Sequence, residues 1–218
     1  EDLGNTSLFD AIANGRKCGE FSIQEKELLK KTIYMLPITQ HIGATGLDFN
    51  VCHPIKEFDN TSIFFDLNYF KYCYLKGTGV EFDEVLLESD FHKLAETLLR
   101  YNGETFMYRD FQSRNIMLVD SEPYFIDFQG GRKGPIYYDV ASFLWQAKAN
   151  IPDELRDELI EHYLDSLRQF TPIKKGDFIK VLRHFVLFRL LQVLGAYGFR
   201  GNFERKEHFL QSIPAAIS

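Results

Sequence analysis

Cysteine is sparse: Cys18, Cys52 and Cys73 are the only three in 218 residues. An odd count with no C-x-x-C spacing argues against a disulfide framework or a zinc ribbon, and fits a reduced, cytoplasmic setting. Positive charge is in deficit as well. The 25 Lys and Arg against 31 Asp and Glu leave a formal charge of −6, which argues against nucleic acid or an anionic membrane as the main partner. No apolar run is clean enough to span a bilayer. The longest, Phe178 to Phe199, carries Lys180, Arg183, His184 and Arg189, too many charges for that role, and reads as a buried helix. Internal repeats and low-complexity segments are absent. What is abundant is hydrophobic and aromatic surface, 45% and 15% of residues, enough to bury the core of one domain.

The most informative stretch runs from Tyr108 to Asp127, Y-R-D-F-Q-S-R-N-I-M-L-V-D-S-E-P-Y-F-I-D. Two β-prone runs, Ile116–Val119 and Tyr124–Ile126, flank the turn formers Asp120-Ser121-Glu122-Pro123 and predict a hairpin. Pairing Val119 with Tyr124 sets Ile116 against Asp127, so that Asn115 and Asp127 finish at the same open end. The loop from Asp110 to Asn115 starts there too. Two carboxylates and a carboxamide thus converge on one spot. Oxygen donors of this kind suit Mg²⁺, which takes one or two carboxylates together with substrate phosphates. A carboxylate beside the metal can accept the proton of an attacking hydroxyl.

The order Asp110, Asn115, hairpin, Asp127 resembles the catalytic loop and metal-binding Asp of the protein-kinase-like fold. Only eleven residues separate Asp127 from Asp139, which leaves no room for a protein kinase's activation segment. The pattern D-F-Q-G-G-R-K-G-P-I-Y-Y-D-V-A-S is instead similar to the aminoglycoside phosphotransferase/choline kinase family, and within it looks most like the bacterial amino-sugar kinases. That resemblance implies a mainly α (α+β) fold, the helical large lobe of a kinase-like phosphotransferase with a small catalytic β-hairpin. It implies an ATP- and Mg²⁺-dependent kinase that phosphorylates a sugar hydroxyl, on an N-acetylated amino sugar, with an aminoglycoside or choline kinase as the alternative acceptor class. The non-enzymatic alternative is a degenerate kinase lobe serving as a binding or regulatory module.

Roles implied by the resemblance follow residue by residue. Asp110 orients and deprotonates the acceptor hydroxyl, and Asn115 and Asp127 hold Mg²⁺ and, through it, the nucleotide. Arg114 either neutralises the transferring phosphoryl group or braces the loop. Arg109 and Asp139 support the catalytic loop, while Gln129 faces the substrate. Glu1, Asp2 and Asn5 line the nucleotide cleft beside the hinge. The family has His where Tyr108 stands, a buried scaffold position that a hydrogen-bonding aromatic can fill. The lone G-x-G, Gly77-Thr78-Gly79, lies between helical segments, and no V-A-I-K-like strand is present. Residues 1–218 are therefore expected to be the large lobe alone, the small ATP-binding lobe being absent from this chain. Residues 20–100 would form a substrate-side helical insert, 105–142 the catalytic loop, hairpin and metal segment, and 143–218 the C-terminal helices.

The remaining periodicity places the helices. Ser7 or Thr6 caps a short first one. Ser22 and Glu25 form a capping box for a helix to about Ile42, kinked or split at Pro37. Ile63–Leu75 reads as a helix whose aromatic stripe is core, and Asp83–Tyr101 repeats Leu87, Phe91, Leu94 and Leu98 at helical spacing. Val140–Ala149 is expected to be helical with Trp145 as core anchor. Pro152 opens a helix at its first position that runs to about Phe170. Asp177–Tyr197 follows as the buried helix, and Arg205–Ser218 is helical until Pro214. His41, Cys52 and His53 cluster around a turn-rich segment without zinc spacing, and read as structural or exposed.

Overall fold

The computed structural model describes residues 2–217. Leu8–Ala11 (α1) and Ala13–Cys18 (α2) open the chain, and the Ser7 hydroxyl caps α1 by accepting from the Asp10 N–H. Ile23–Ile42 (α3) begins at the capping box legible in the sequence, with Ser22 Oγ accepting from the Glu25 N–H and the Glu25 carboxylate accepting from the Ser22 N–H. Of the kink or split expected at Pro37, the split does not occur. The helix runs through it without interruption, because Ile33, Leu36 and Pro37 all face the core, and that burial offsets the one backbone bond a proline removes.

Asn60–Cys73 (α4) starts earlier than the apolar pattern suggests, because Asp59 and Ser62 build a second capping box. Its aromatic stripe is not all core. Phe70 is buried, but Phe65 and Tyr72 are 63% and 55% exposed, since aromatics this dense wrap around more than one helix face. Glu84–Leu99 (α5) turns Phe91, Ala95 and Leu98 inward.

Four short strands follow: Thr105–Met107 (β1), Ile116–Val119 (β2), Glu122–Phe125 (β3) and Arg132–Gly134 (β4). They form two antiparallel pairs, β1 with β4 and β2 with β3. The hairpin exists, but its register differs from the expected one: Val119 faces Glu122 and Ile116 faces Phe125. The cause is the turn. Asp120 and Ser121 both take positive φ, 53° and 64°, so two residues suffice to reverse the chain with the twist the strands require. Pro123 then belongs to the strand. The N-terminal segment lies along this hairpin, the Leu118 N–H donating to the Thr6 carbonyl at 2.9 Å.

Ile136–Leu144 (α6) begins directly after Pro135 and ends at Trp145, earlier at both ends than Val140–Ala149, which puts Asp139 inside its first turn. Proline before a helix start is favourable because its missing N–H has no partner to lose there. In Asp153–Leu167 (α7) Pro152 is the cap rather than the first helical residue, and the helix ends short of Phe170. Lys175–Gly198 (α8) continues into a wider turn at Phe199–Phe203. Only one side of α8 is buried: Phe178, Phe185 and Phe188 face inward while Arg183 and Leu187 are exposed. Glu207–Leu210 (α9) and Ile213–Ile217 (α10) complete the described chain, and Pro214 sits within the first turn of α10 instead of ending a helix.

The centre of the molecule is α6. Tyr138, Val140, Ala141 and Phe143 have almost no exposure, and the polar Asp139 and Ser142 are buried with them, so the helix is enclosed on every side. The other main contacts are α3 on α7, α4 on α8 and α6 on α8. Helix α8 meets α4 with backbone almost against backbone. A Cβ at Gly198 would lie 2.3 Å from the Cys73 carbonyl oxygen, and one at Gly195 would lie 2.8 Å from the Phe70 nitrogen. The expected mainly α architecture with a small hairpin is the one observed. No described helix is long and apolar enough to cross a membrane.

Candidate active site

The loop between β1 and β2 is held from below by one carboxylate. Asp139 is fully buried; its Oδ2 accepts from the Tyr108 N–H at 2.7 Å and its Oδ1 from the Arg109 N–H at 2.8 Å. Gln40 Nε2 approaches Oδ2 at 3.5 Å and donates to the Ile136 carbonyl at 3.1 Å, while its Oε1 accepts from the Tyr163 hydroxyl at 2.7 Å. This clamp holds Arg109 in the left-handed region, φ 78°, which turns the chain so that Asp110 points out of the core. Tyr108 is buried beneath the loop, edge-on to Phe106, Phe111 and Phe125. Its hydroxyl donates to the Ile126 carbonyl, tying the loop to the strand that leads to Asp127. Burial, reinforced by Asp127, Asp139 and Asp110, raises the phenol's pKa and keeps it a donor.

Burial pushes the Asp139 carboxyl up to about 7, against the lowering effect of its two backbone N–H bonds. The folded state therefore binds this proton more tightly than the unfolded chain between the ordinary aspartate value and about 7. Its contribution to stability is complete at low pH and is lost as pH rises through that value. Thermal melts should show wild type losing stability relative to Asp139→Asn between about pH 4 and pH 7; parallel melting curves would contradict this.

Asp110 is half-exposed, its Oδ1 3.7 Å from Arg189 Nη2 on α8. Its backbone carbonyl accepts from Asn115 Nδ2 at 2.9 Å. That bond fixes which way the Asn115 amide faces, and leaves Oδ1 as an acceptor with no hydrogen-bond partner among the described residues. The Asn115 carbonyl accepts from the Ile126 N–H at 3.0 Å, so Asp127 follows directly on the residue opposite Asn115. Asp127 is exposed, with φ 69°, and its carboxylate has no hydrogen-bond or ion-pair partner among the described residues. Two hard oxygen donors on adjoining backbone, both without protein partners, fit the few ligands that Mg²⁺ takes from a protein when phosphates supply others. No group of three or more His, Cys, Asp or Glu is placed to hold a metal among the described residues.

Asp110 opens onto a cavity of about 480 Å³ whose lining includes Arg114, Trp145, Gln146, Tyr197 and Arg200. Trp145, expected in the core, is half-buried and lines this cavity because α6 ends there. Arg114, Lys148 and Arg200 are exposed cations on the lining and make no ion pair among the described residues. Gln129 is exposed in the turn after Asp127 and is not among the residues lining this cavity. The Asp2 carboxylate accepts from the Gly4 N–H at 2.9 Å, and Glu1 lies outside the described residues.

Sequence reasoning missed Asp66 on α4 and Arg189 and Gln192 on α8. The signal was present but read only as too much charge for a membrane span: Arg189 falls on the same face as Phe185 and Phe188, and Gln192 is one turn further on. A charged residue on a buried helix face needs partners.

Residues 74–173 match the model of the phosphotransferase enzyme family, APH. N-acetylmuramate/N-acetylglucosamine kinases of Neisseria meningitidis serogroup B and Pseudomonas aeruginosa are 26% and 23% identical to this chain, covering 100% and 98% of it and 64% and 60% of their own lengths. The chain thus spans less than two thirds of the curated relatives it matches. Among solved structures, a choline kinase from Cryptosporidium parvum superposes with TM-score 0.55 at 14% identity, over 89% of this chain and 67% of that one. An ethanolamine kinase from Plasmodium vivax gives TM-score 0.58 at 15% identity, over 89% and 59%. The fold is therefore of the choline and ethanolamine kinase type.

Proposed function

We propose that this chain, which carries a phosphotransferase-family domain, is the acceptor-side lobe of a small-molecule kinase that moves the γ-phosphoryl group of ATP to a hydroxyl of an N-acylated amino sugar. The observation that carries this is the Asn115 amide locked onto the Asp110 backbone. It supports a division of labour in which one side of the loop faces the phosphates and the other the acceptor.

On this reading the acceptor hydroxyl enters the cavity and hydrogen-bonds to the Asp110 carboxylate. Its oxygen bonds to the γ-phosphorus, the bond from phosphorus to the ADP oxygen breaks, and the hydroxyl proton passes to Asp110. Asn115 and Asp127 would hold Mg²⁺, which supplies charge neutralisation for the phosphates when bound. Arg114, exposed beside Asp110 on the lining, can neutralise charge on the transferring group. Residues 1–218 act as the large lobe, and the groups that cradle ATP from the other side come from a small lobe outside this sequence. Asp2 and Gln129 would border the nucleotide and substrate, respectively, only in that complete protein.

The charge of the cavity bears on the acceptor. Arg109, Arg114, Lys148, Arg189 and Arg200 line it together with a single acidic residue, Asp110, in a chain whose net charge is −6. Such a lining disfavours choline or a polycationic aminoglycoside by like-charge repulsion. An N-acylated amino sugar has lost its ammonium charge, and a sugar in the relatives' names, N-acetylmuramate, adds a carboxylate that these cations suit. Trp145 and Tyr197 offer flat apolar faces for the pyranose ring.

The test is ADP release by the full-length protein with Mg-ATP and N-acetylmuramate, N-acetylglucosamine, N-acetylgalactosamine, choline or kanamycin. Turnover with the acetylated sugars, highest with the carboxylate-bearing one, is the expected result. Turnover confined to choline or kanamycin moves the acceptor class. Absence of turnover with every acceptor in folded protein favours a regulatory lobe instead.

A further inference from the structure

A closed ring of side chains surrounds the catalytic loop, and its members come from separate parts of the chain. Starting beside Asp110, the Arg109 guanidinium reaches Asp66 Oδ1 on α4 at 3.4 Å. Asp66 Oδ2 accepts from Gln192 Nε2 on α8 at 3.0 Å. Gln192 Oε1 accepts from Arg189 Nη1 at 2.6 Å and from the Tyr138 hydroxyl on α6 at 2.7 Å. Arg189 Nε donates to Ser142 Oγ, also on α6, at 3.2 Å, and its Nη2 comes back to Asp110 Oδ1 at 3.7 Å. The ring thus closes on the two adjacent residues Arg109 and Asp110.

We infer that Arg189 is a positioning residue for Asp110, held by Gln192 and Ser142 so that its outer nitrogen restrains one carboxylate oxygen and leaves the other free for the acceptor hydroxyl. The inference rests on the kinase reading above for Asp110's part in the chemistry, but the restraint itself does not. Arg189 is only 8% exposed, and two of its nitrogens are spent on the neutral Ser142 and Gln192 side chains. The third faces the cavity, where Asp110 is its ion-pair partner. A separation of 3.7 Å is an ion pair rather than a direct hydrogen bond, so the restraint does not occupy the carboxylate's lone pairs. Only a planar guanidinium reaches Ser142, Gln192 and Asp110 at once; a lysine would keep the charge and lose the geometry.

Three variants test it in the full-length protein: Arg189→Met, Arg189→Lys and Gln192→Leu, the last of which opens the ring between Arg189 and Asp66 while leaving the Arg189 and Asp110 side chains in place. Arg189→Met should lower kcat about 100-fold, the scale of a misplaced catalytic group, with KM for ATP within about twofold of wild type. Arg189→Lys should recover about tenfold of that loss. In an Asp110→Asn background, Arg189→Met should change the residual rate by less than about twofold, because a group that acts through Asp110 has nothing left to act on. Equal fold-losses in both backgrounds overturn the inference. Backbone amide exchange is read in parallel, independent of turnover. Residues 109–115 should exchange at least about tenfold faster in Arg189→Met and Gln192→Leu while the α6 core amides stay protected; unchanged loop exchange in both also overturns it. A wild type that turns over no acceptor would sink the kinase reading and leave the exchange result to decide the ring.

Discussion

Replacing Asp110 by Asn lowers turnover of the full-length protein by about 10³-fold on the proposed chemistry, within the range a general base contributes. The melting temperature should move by no more than about 2 °C, as expected where no buried contact is lost. The two effects separate for a local reason. Asn115 is anchored by the backbone carbonyl of Asp110, not by its carboxylate, so the substitution leaves that bond intact. The carboxylate is half-exposed, and among the described residues its one ion-pair partner is Arg189 at 3.7 Å. A carboxamide has the same shape and no useful basicity. Steady-state turnover and a thermal melt on the same sample check this together. A rate within about tenfold of wild type would mean that Asp110 is not the proton acceptor.

Gly198→Ala has the opposite signature, a loss of stability that carries activity with it. The added methyl would meet the Cys73 carbonyl oxygen at 2.3 Å and the Tyr74 Cα at 2.8 Å. Both are backbone atoms of or beside α4, so no side chain can rotate away, and the two helices must separate. Overpacking of this kind costs about 1–3 kcal/mol, or about 2–12 °C in melting temperature for a domain of this size. Asp66 stands on α4 and Gln192 on α8, so separation also stretches their 3.0 Å hydrogen bond. Activity at 25 °C should fall further than the unfolded fraction accounts for. Gly176→Ala is the control: it lies in the first turn of α8 with open space around it, and should be neutral or slightly stabilising through helix propensity. Equal melting temperatures for the two variants would contradict the close-packing account.

The parts of the fold that were legible in the sequence are those written in short spacings. The Ser22–Glu25 capping box, the loop from Asp110 to Asn115 and the existence of a hairpin before Asp127 all fall within a few residues of their own signals. The register was not legible, because the strongest signal for a two-residue turn is Asn-Gly, and here Asp120 and Ser121 adopt the same positive φ without a glycine. Pro123 looked like part of the turn and is instead in the strand. The start of α6 was hidden for a related reason: the helix-start signal of Pro135 sits inside a segment whose other residues read as part of the metal-binding loop. Arg189 and Asp110 meet from distant parts of the chain, an adjacency no local pattern encodes. Polar residues on an otherwise apolar face said that α8 had a partner, but only the packing of α4, α6 and α8 says which.

Two residues at the centre of the site have backbones wound the wrong way for their side chains. Arg109 and Asp127 both sit at positive φ, 78° and 69°, where any side chain other than glycine's costs on the order of 1 kcal/mol. Glycine would relax either position, and at either position it would delete the group the site is built from. On the proposed chemistry, heat resistance and activity therefore pull in opposite directions here. A search for thermostable variants of this protein should find its gains on the helical surface and leave these two strained positions untouched.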